Sequence, residues 1–174
     1  MLTFRVGAVL IAALLTACTG TPVGVKPVTP FELERYLGQW HEIARLDHRF
    51  ERGLTDVTAN YSMRDDGGVK VINRGFNTED NEWSQAEGKA YFVGDTNTGA
   101  LKVSFFGPFY GSYNVARLTD DYSMALVVGP SLEYAWLLAR KKTPAKTQCD
   151  AFAQTAVELG INADSWIWLE QCTE

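Results

Sequence analysis

The chain has 174 residues and a net charge of −5. Its 16 basic and 21 acidic residues are interspersed with no basic block, which excludes a nucleic-acid partner held by backbone phosphates. This length and the 46% hydrophobic content suit one domain with a full core.

The first residues read as a leader. Arg5 is followed by a nearly continuous apolar run, Val6 to Leu15, too short to span a membrane and proportioned like a secretory signal. Leu15-Thr16-Ala17-Cys18 then resembles the lipobox of bacterial lipoproteins. That resemblance implies a signal peptide over residues 1–17 and a lipid on Cys18. Thr19 stands where an aspartate often signals retention in the inner membrane, so the expected place is the outer membrane, facing the periplasm. The alternative is an ordinary signal whose cleavage site happens to include Cys18. Residues 18–30, with Pro22, Pro27 and Pro30, read as anchor and extended tether, and the domain is expected over residues 31–174. Any membrane attachment comes through Cys18. With Cys18 lipidated, Cys149 and Cys172 remain, and two thiols in an oxidising compartment most simply pair.

Phe31 to Leu37 predicts one helical turn, with Phe31, Leu33 and Leu37 placed to plug one end. A strand follows from Gln39 to Asp47. Gly38 allows a sharp entry and Trp40 carries a large apolar surface inward. Alternation sets Trp40, Glu42 and Ala44 on one face, and Gln39, His41, Ile43 and Arg45 on the other. His48 to Leu54 breaks the alternation and reads as a loop. Strands are expected from Thr55 to Arg64 and from Val69 to Phe76, around the Asp65-Asp66-Gly67-Gly68 hairpin turn. Trp83 to Val93 is a long strand with a bend or bulge expected at Gly88. Leu101–Phe106, Tyr110–Leu118, Tyr122–Val128 and Tyr134–Arg140 complete about eight strands. No helix of crossover length separates them. The set is therefore antiparallel, as a sandwich or an up-and-down barrel. Pro144 to Leu159 predicts an outer helix stopped by Gly160, and Trp166 to Leu169 a short final strand.

Three separated pieces resemble the lipocalin family: Gly38-Gln39-Trp40, Asp121-Tyr122 before the seventh strand, and Arg140 closing the eighth. The second departs from the family's Thr-Asp-Tyr, since Asp120 stands in the threonine's place and Thr119 comes one residue early. The runs Trp40–Arg45, Asp47–Leu54, Lys102–Gly111 and Tyr134–Arg140 look closer still to bacterial outer-membrane lipocalins and the apolipoprotein D-like group. The resemblance covers Phe31 to Leu169. It implies an all-β fold: an eight-stranded antiparallel up-and-down barrel with a C-terminal helix packed outside and a short last strand. It makes Trp40 and Arg140 structural, an indole and a guanidinium sealing one end of the barrel.

By resemblance to the apolipoprotein D-like pocket, Tyr61, Asn73, Tyr113 and Trp136 fall at cavity-lining positions. Parity adds Ala44, Ala59, Val71, Val115 and Leu138, and sets Glu42 and Tyr134 inside as well. Glu42 would have a raised pKa unless Arg74 or Arg45 pairs with it. Such a lining suits an acyl chain, a fatty acid or a lysophospholipid. The loop Gly107–Gly111 either meets a membrane or partner at the mouth or folds its bulky residues inward. His41 and His48 stand at no metal-ligand spacing, and no nucleophile–base pair, phosphate loop or cofactor motif occurs. The expected function is lipid carriage. The alternatives are an envelope scaffold for protein partners and, less favoured, an enzyme acting on a lipophilic substrate. The sequence leaves a homodimer open.

Overall fold

The computed structural model describes residues 20–174. Cys18 and the leader lie outside the described residues. A short helix α1 (Leu33–Tyr36) precedes eight strands: β1 (Gly38–Arg45), β2 (Leu54–Met63), β3 (Val69–Asn77), β4 (Glu82–Phe92), β5 (Ala100–Phe106), β6 (Phe109–Leu118), β7 (Met124–Val128) and β8 (Ala135–Ala139). Helix α2 (Lys146–Glu158) and a two-residue strand β9 (Ile167–Trp168) follow. Each strand pairs antiparallel with the next, and β8 and β2 both pair with β1, so the sheet closes on itself as a barrel.

The ends differ. Of the eight barrel strands, each odd one leaves the end occupied by α1, where Phe31 and Tyr36 are buried. Trp40 is fully buried there, and the Arg140 guanidinium lies 4.0 Å over its ring. Arg140 also donates to the carbonyls of Gln39, Arg35 and Leu37, each at 2.8 Å. Gly38 has φ +91°, and a Cβ there would sit 3.4 Å from Arg140 Nη1. The glycine thus permits both the turn and the approach of the guanidinium. The early threonine serves the β6–β7 turn: Thr119 Oγ1 accepts from the Ser123 and Met124 amides at 2.9 and 3.0 Å. The opposite end opens between the loops at 46–53, 78–81, 107–108 and 129–134.

Two apolar layers share the sheet. The inner one holds Trp40, Ala59, Tyr61, Val71, Leu101 and Val127; the outer one holds Leu126, Leu137, Ala139, Phe152 and Ala156 beneath α2. Strand β7, Met-Ala-Leu-Val-Val, is buried at every position because both its faces are covered. Cys149 on α2 forms a disulfide with Cys172, tying the C-terminal tail to the helix.

The structure corrects three expectations. Strand β1 does not alternate to its end. Its register against β8 shifts between Glu42 and Ala44. The C-terminal segment causes the shift, since the amides of Leu169 and Glu170 both donate to the Ile43 carbonyl and β9 pairs with Ala44 and Arg45. Past this bulge Ala44 joins the outer layer, and Arg45 is buried against Glu42 instead of facing out. Gly88 is not a bulge, for β3 and β4 keep one register from Val69 to Asn77. It is a close approach, where a Cβ would come within 2.8 Å of the Phe105 ring. The stretch 21–30 is extended but docked: Val28 donates to the Val115 carbonyl at 2.8 Å, Val25 is buried, and Thr21 donates to Asn114 Oδ1 at 2.9 Å.

Candidate functional site

The barrel encloses a cavity of about 590 Å³, the size of a small-lipid site. Its walls come from all eight barrel strands, which is why no short motif marks it. Of the residues singled out in the sequence, Tyr61, Asn73, Tyr113, Trp136, Val71 and Leu138 line it, as do Glu42, Ala59 and Tyr134. Ala44 is not among them, because the β1 bulge turns it outward against β9. Val115 is fully buried in the inner layer but does not reach the cavity surface. Most of the lining is apolar, including Leu33, Val57, Val69, Leu101 and Val103.

Three polar features stand out in this wall, which also includes Thr58, Arg74, Ser84, Ser104 and Ser112. Near the closed end, Tyr113 Oη is 2.7 Å from Tyr36 Oη and 2.8 Å from Tyr61 Oη. Burial pushes all three phenols above their ordinary range, so they stay protonated. At mid-height Asn73 Oδ1 is buried without a hydrogen-bond partner. Toward the mouth stands a charged cluster. Arg45 Nη1 donates to Glu42 Oε1 at 2.8 Å, and Arg45 Nη2 donates to the carbonyls of Glu51 and Leu54 at 2.7 and 3.1 Å. Trp136 Nε1 donates to Glu51 Oε2 at 3.0 Å. Of the two buried carboxyls, only that of Glu42 bonds the guanidinium; the Glu51 carboxyl is held by Trp136 and feels Arg45 through its charge alone. Burial, then repulsion from Glu51, raises Glu42 despite its bond to Arg45, and burial likewise raises Glu51. Both carboxyls are thus biased toward the protonated form.

Sequence reasoning found Glu42 and named Arg45 as one of two candidate partners, but missed Tyr36, Glu51 and His48. Tyr36 sits on α1, where strand parity says nothing. Glu51 and His48 lie on the β1–β2 loop, which folds back into the mouth. There His48 stacks between Phe50 and Tyr134, with centroids 5.3 and 4.7 Å away. The rim is aromatic and outward: Phe106 is 81% exposed, Phe109 70% and Phe50 65%. The bulky residues flanking Gly107–Pro108 therefore point to solvent rather than folding in.

Among the described residues no group of three or more His, Cys, Asp or Glu side chains is placed to hold a metal ion. No helix there is long and apolar enough to cross a membrane.

Residues 31–171 match the family described as Lipocalin-like domain. The chain is 52% identical to outer membrane lipoprotein Blc of Vibrio cholerae, over 94% of this chain and 96% of that one. It is 50% identical to the Escherichia coli K12 protein of the same name, over 95% of each. Apolipoprotein D of Macaca fascicularis is 33% identical, over 74% of this chain and 68% of that one. Among solved structures, insecticyanin of the tobacco hornworm Manduca sexta superposes with a TM-score of 0.69 at 24% identity, covering 88% of this chain and 90% of that one. The closed barrel, its indole–guanidinium seal and these matches together place the chain in the lipocalin family.

Proposed function

We propose that this protein is a lipid-anchored carrier that holds one fatty acid or lysophospholipid in its barrel at the outer membrane, for storage or transport. The observation that carries this reading is the apolar cavity of about 590 Å³, open at one end only. An acyl chain entering it leaves water along its whole length, at about 0.8 kcal/mol per CH₂. The headgroup then stays at the mouth, among Trp136, Tyr134 and the exposed phenylalanines. Two relatives bear the name outer membrane lipoprotein, which supports the expected lipid on Cys18 and a place at the outer membrane. The aromatic rim suits contact with the membrane from which a lipid is taken.

The site's chemistry favours binding over catalysis. The cavity's two carboxyls are held by Arg45 and Trp136, and neither bonds a Ser, Thr or Cys nucleophile among the described residues. The test is direct. Purified protein is titrated with lysophospholipid and with a fluorescent fatty acid while tryptophan emission is followed, with Trp136→Phe as the control that assigns the change. Affinity tighter than about 10 µM, roughly −7 kcal/mol, is expected for at least one. Absence of both binding and an emission change would sink the reading. The exposed rim also suits a second reading, a scaffold that docks protein partners. Native mass spectrometry of protein taken from cells separates the two, since a carrier retains lipid and a scaffold arrives with an empty barrel and a bound protein.

A further inference from the structure

The cavity's closed end is not plain hydrocarbon. Tyr36 from α1, Tyr61 from β2 and Tyr113 from β6 meet there through their hydroxyls, at 2.7 and 2.8 Å. Each phenol brings one hydrogen, so the trio brings three. Two are used in the two bonds of the chain. Neither Tyr36 Oη nor Tyr61 Oη has another partner among the described residues. One O–H is therefore left over, beside apolar neighbours such as Phe31, which packs on Tyr36, and Leu101, paired with Tyr113. All three tyrosines line the cavity, so the spare donor is offered to whatever fills it.

A saturated chain end is a poor match for that donor. Packing a methyl against it leaves a buried O–H unsatisfied, or traps a water beside hydrocarbon. An oxygen acceptor on the chain end would take the hydrogen and remove the mismatch. We infer that the phenol trio is a subsite for an oxygen on the buried end of the ligand, and that this carrier prefers acyl chains oxidised far from their headgroup, carrying a keto or similar acceptor, over saturated ones. The inference rests on the carrier reading above and narrows it to a ligand class. The three phenols stay protonated because burial raises them, so the donor is present across the physiological range. Arg140, over the Trp40 ring, gives its hydrogens to backbone carbonyls and does not compete.

The experiment compares palmitic acid with its ω−1 ketone, each displacing a fluorescent fatty acid from the full-length protein. The ketone should bind about tenfold tighter, the scale of one buried hydrogen bond gained. Its carbonyl stretch, read by infrared difference spectroscopy with a labelled carbon, should move to lower frequency when bound. In the combined Tyr36→Phe, Tyr61→Phe, Tyr113→Phe variant the affinity ratio should fall to about one and the carbonyl should return to its frequency in an apolar solvent. Equal affinities in the wild type, or an unshifted carbonyl, overturn the inference and leave the carrier reading standing. Failure of both lipids to displace the probe overturns both. The wild-type ratio and the carbonyl frequency decide the matter even where the triple variant does not fold.

Discussion

Glu42 shows how one position can be read from sequence in part. Parity from Trp40 places it inside the barrel, and it is 4% exposed. Its setting follows from groups that parity cannot supply. Arg45 arrives through a bulge, Glu51 through a folded-back loop, and Trp136 fixes Glu51 in place. Burial, then Glu51, push the Glu42 carboxyl up to about 8, with Arg45 pulling it back. A carboxyl raised on folding holds its proton more tightly in the folded state. Between its ordinary value of 4.5 and about 8 the unfolded chain has lost that proton while the folded chain keeps it. Stability therefore falls as pH rises through this window and levels off above it. Buried His48 is lowered from 6.5, first by burial and then by Arg45, and it opposes the trend only below that value. Between about pH 6.5 and 8 the carboxyls act alone. Thermal unfolding across that range should show the wild-type melting temperature dropping by several degrees. In Glu42→Gln only the burial-raised Glu51 remains, and the drop should shrink. An equal drop in both proteins would show that Glu42 is not the group that titrates in this window.

At the level of elements, strand ends were legible wherever turn chemistry is local. The Asp65–Gly68 turn separates β2 from β3 as expected, and the outer helix begins two residues inside its predicted start. The β1 bulge was not legible. Ile43 is displaced by amides from Leu169 and Glu170, more than a hundred residues away, and no local pattern announces them. Ala44 was assigned to the wrong face for the same reason. The tether's docking was likewise hidden, because its prolines and glycines describe an extended chain and not what it lies against. The pairing of Cys149 with Cys172 spans 23 residues of sequence and holds this C-terminal segment to α2. Closing a loop of that size restricts the unfolded chain by about 3 kcal/mol. Reduction, or the Cys149→Ser, Cys172→Ser pair, should lower the melting temperature by about 6–12 °C. Since β9 holds the bulge, freeing the tail should also loosen Ala44 and Arg45. Hydrogen exchange at those two amides should rise more than at Trp40, which the barrel end holds independently. Uniform exchange along β1 would count against that link.

The molecule as a whole separates two tasks. One end is fixed by Trp40, Arg140 and α1, and the outer face of β7 and β8 by α2, so the barrel stands without help from a ligand. The interior is then free to stay hollow. If so, filling it should cost binding and not folding. Ala59 is the place to test this, since it faces the cavity at mid-height, paired with Trp40 on one side and Asn73 on the other. An indole grown there enters open space, without the crowding that enlarging a packed core brings. Ala59→Trp should fold to the same secondary structure. Wild-type protein at a lysophospholipid concentration a hundredfold above its Kd gains about 2.7 kcal/mol by linkage, a rise of about 5–10 °C in melting temperature. The variant should show no rise at any lipid concentration. A variant that still gains stability with lipid would place the lipid outside the barrel, on the aromatic rim, and would turn the function from carriage to surface attachment.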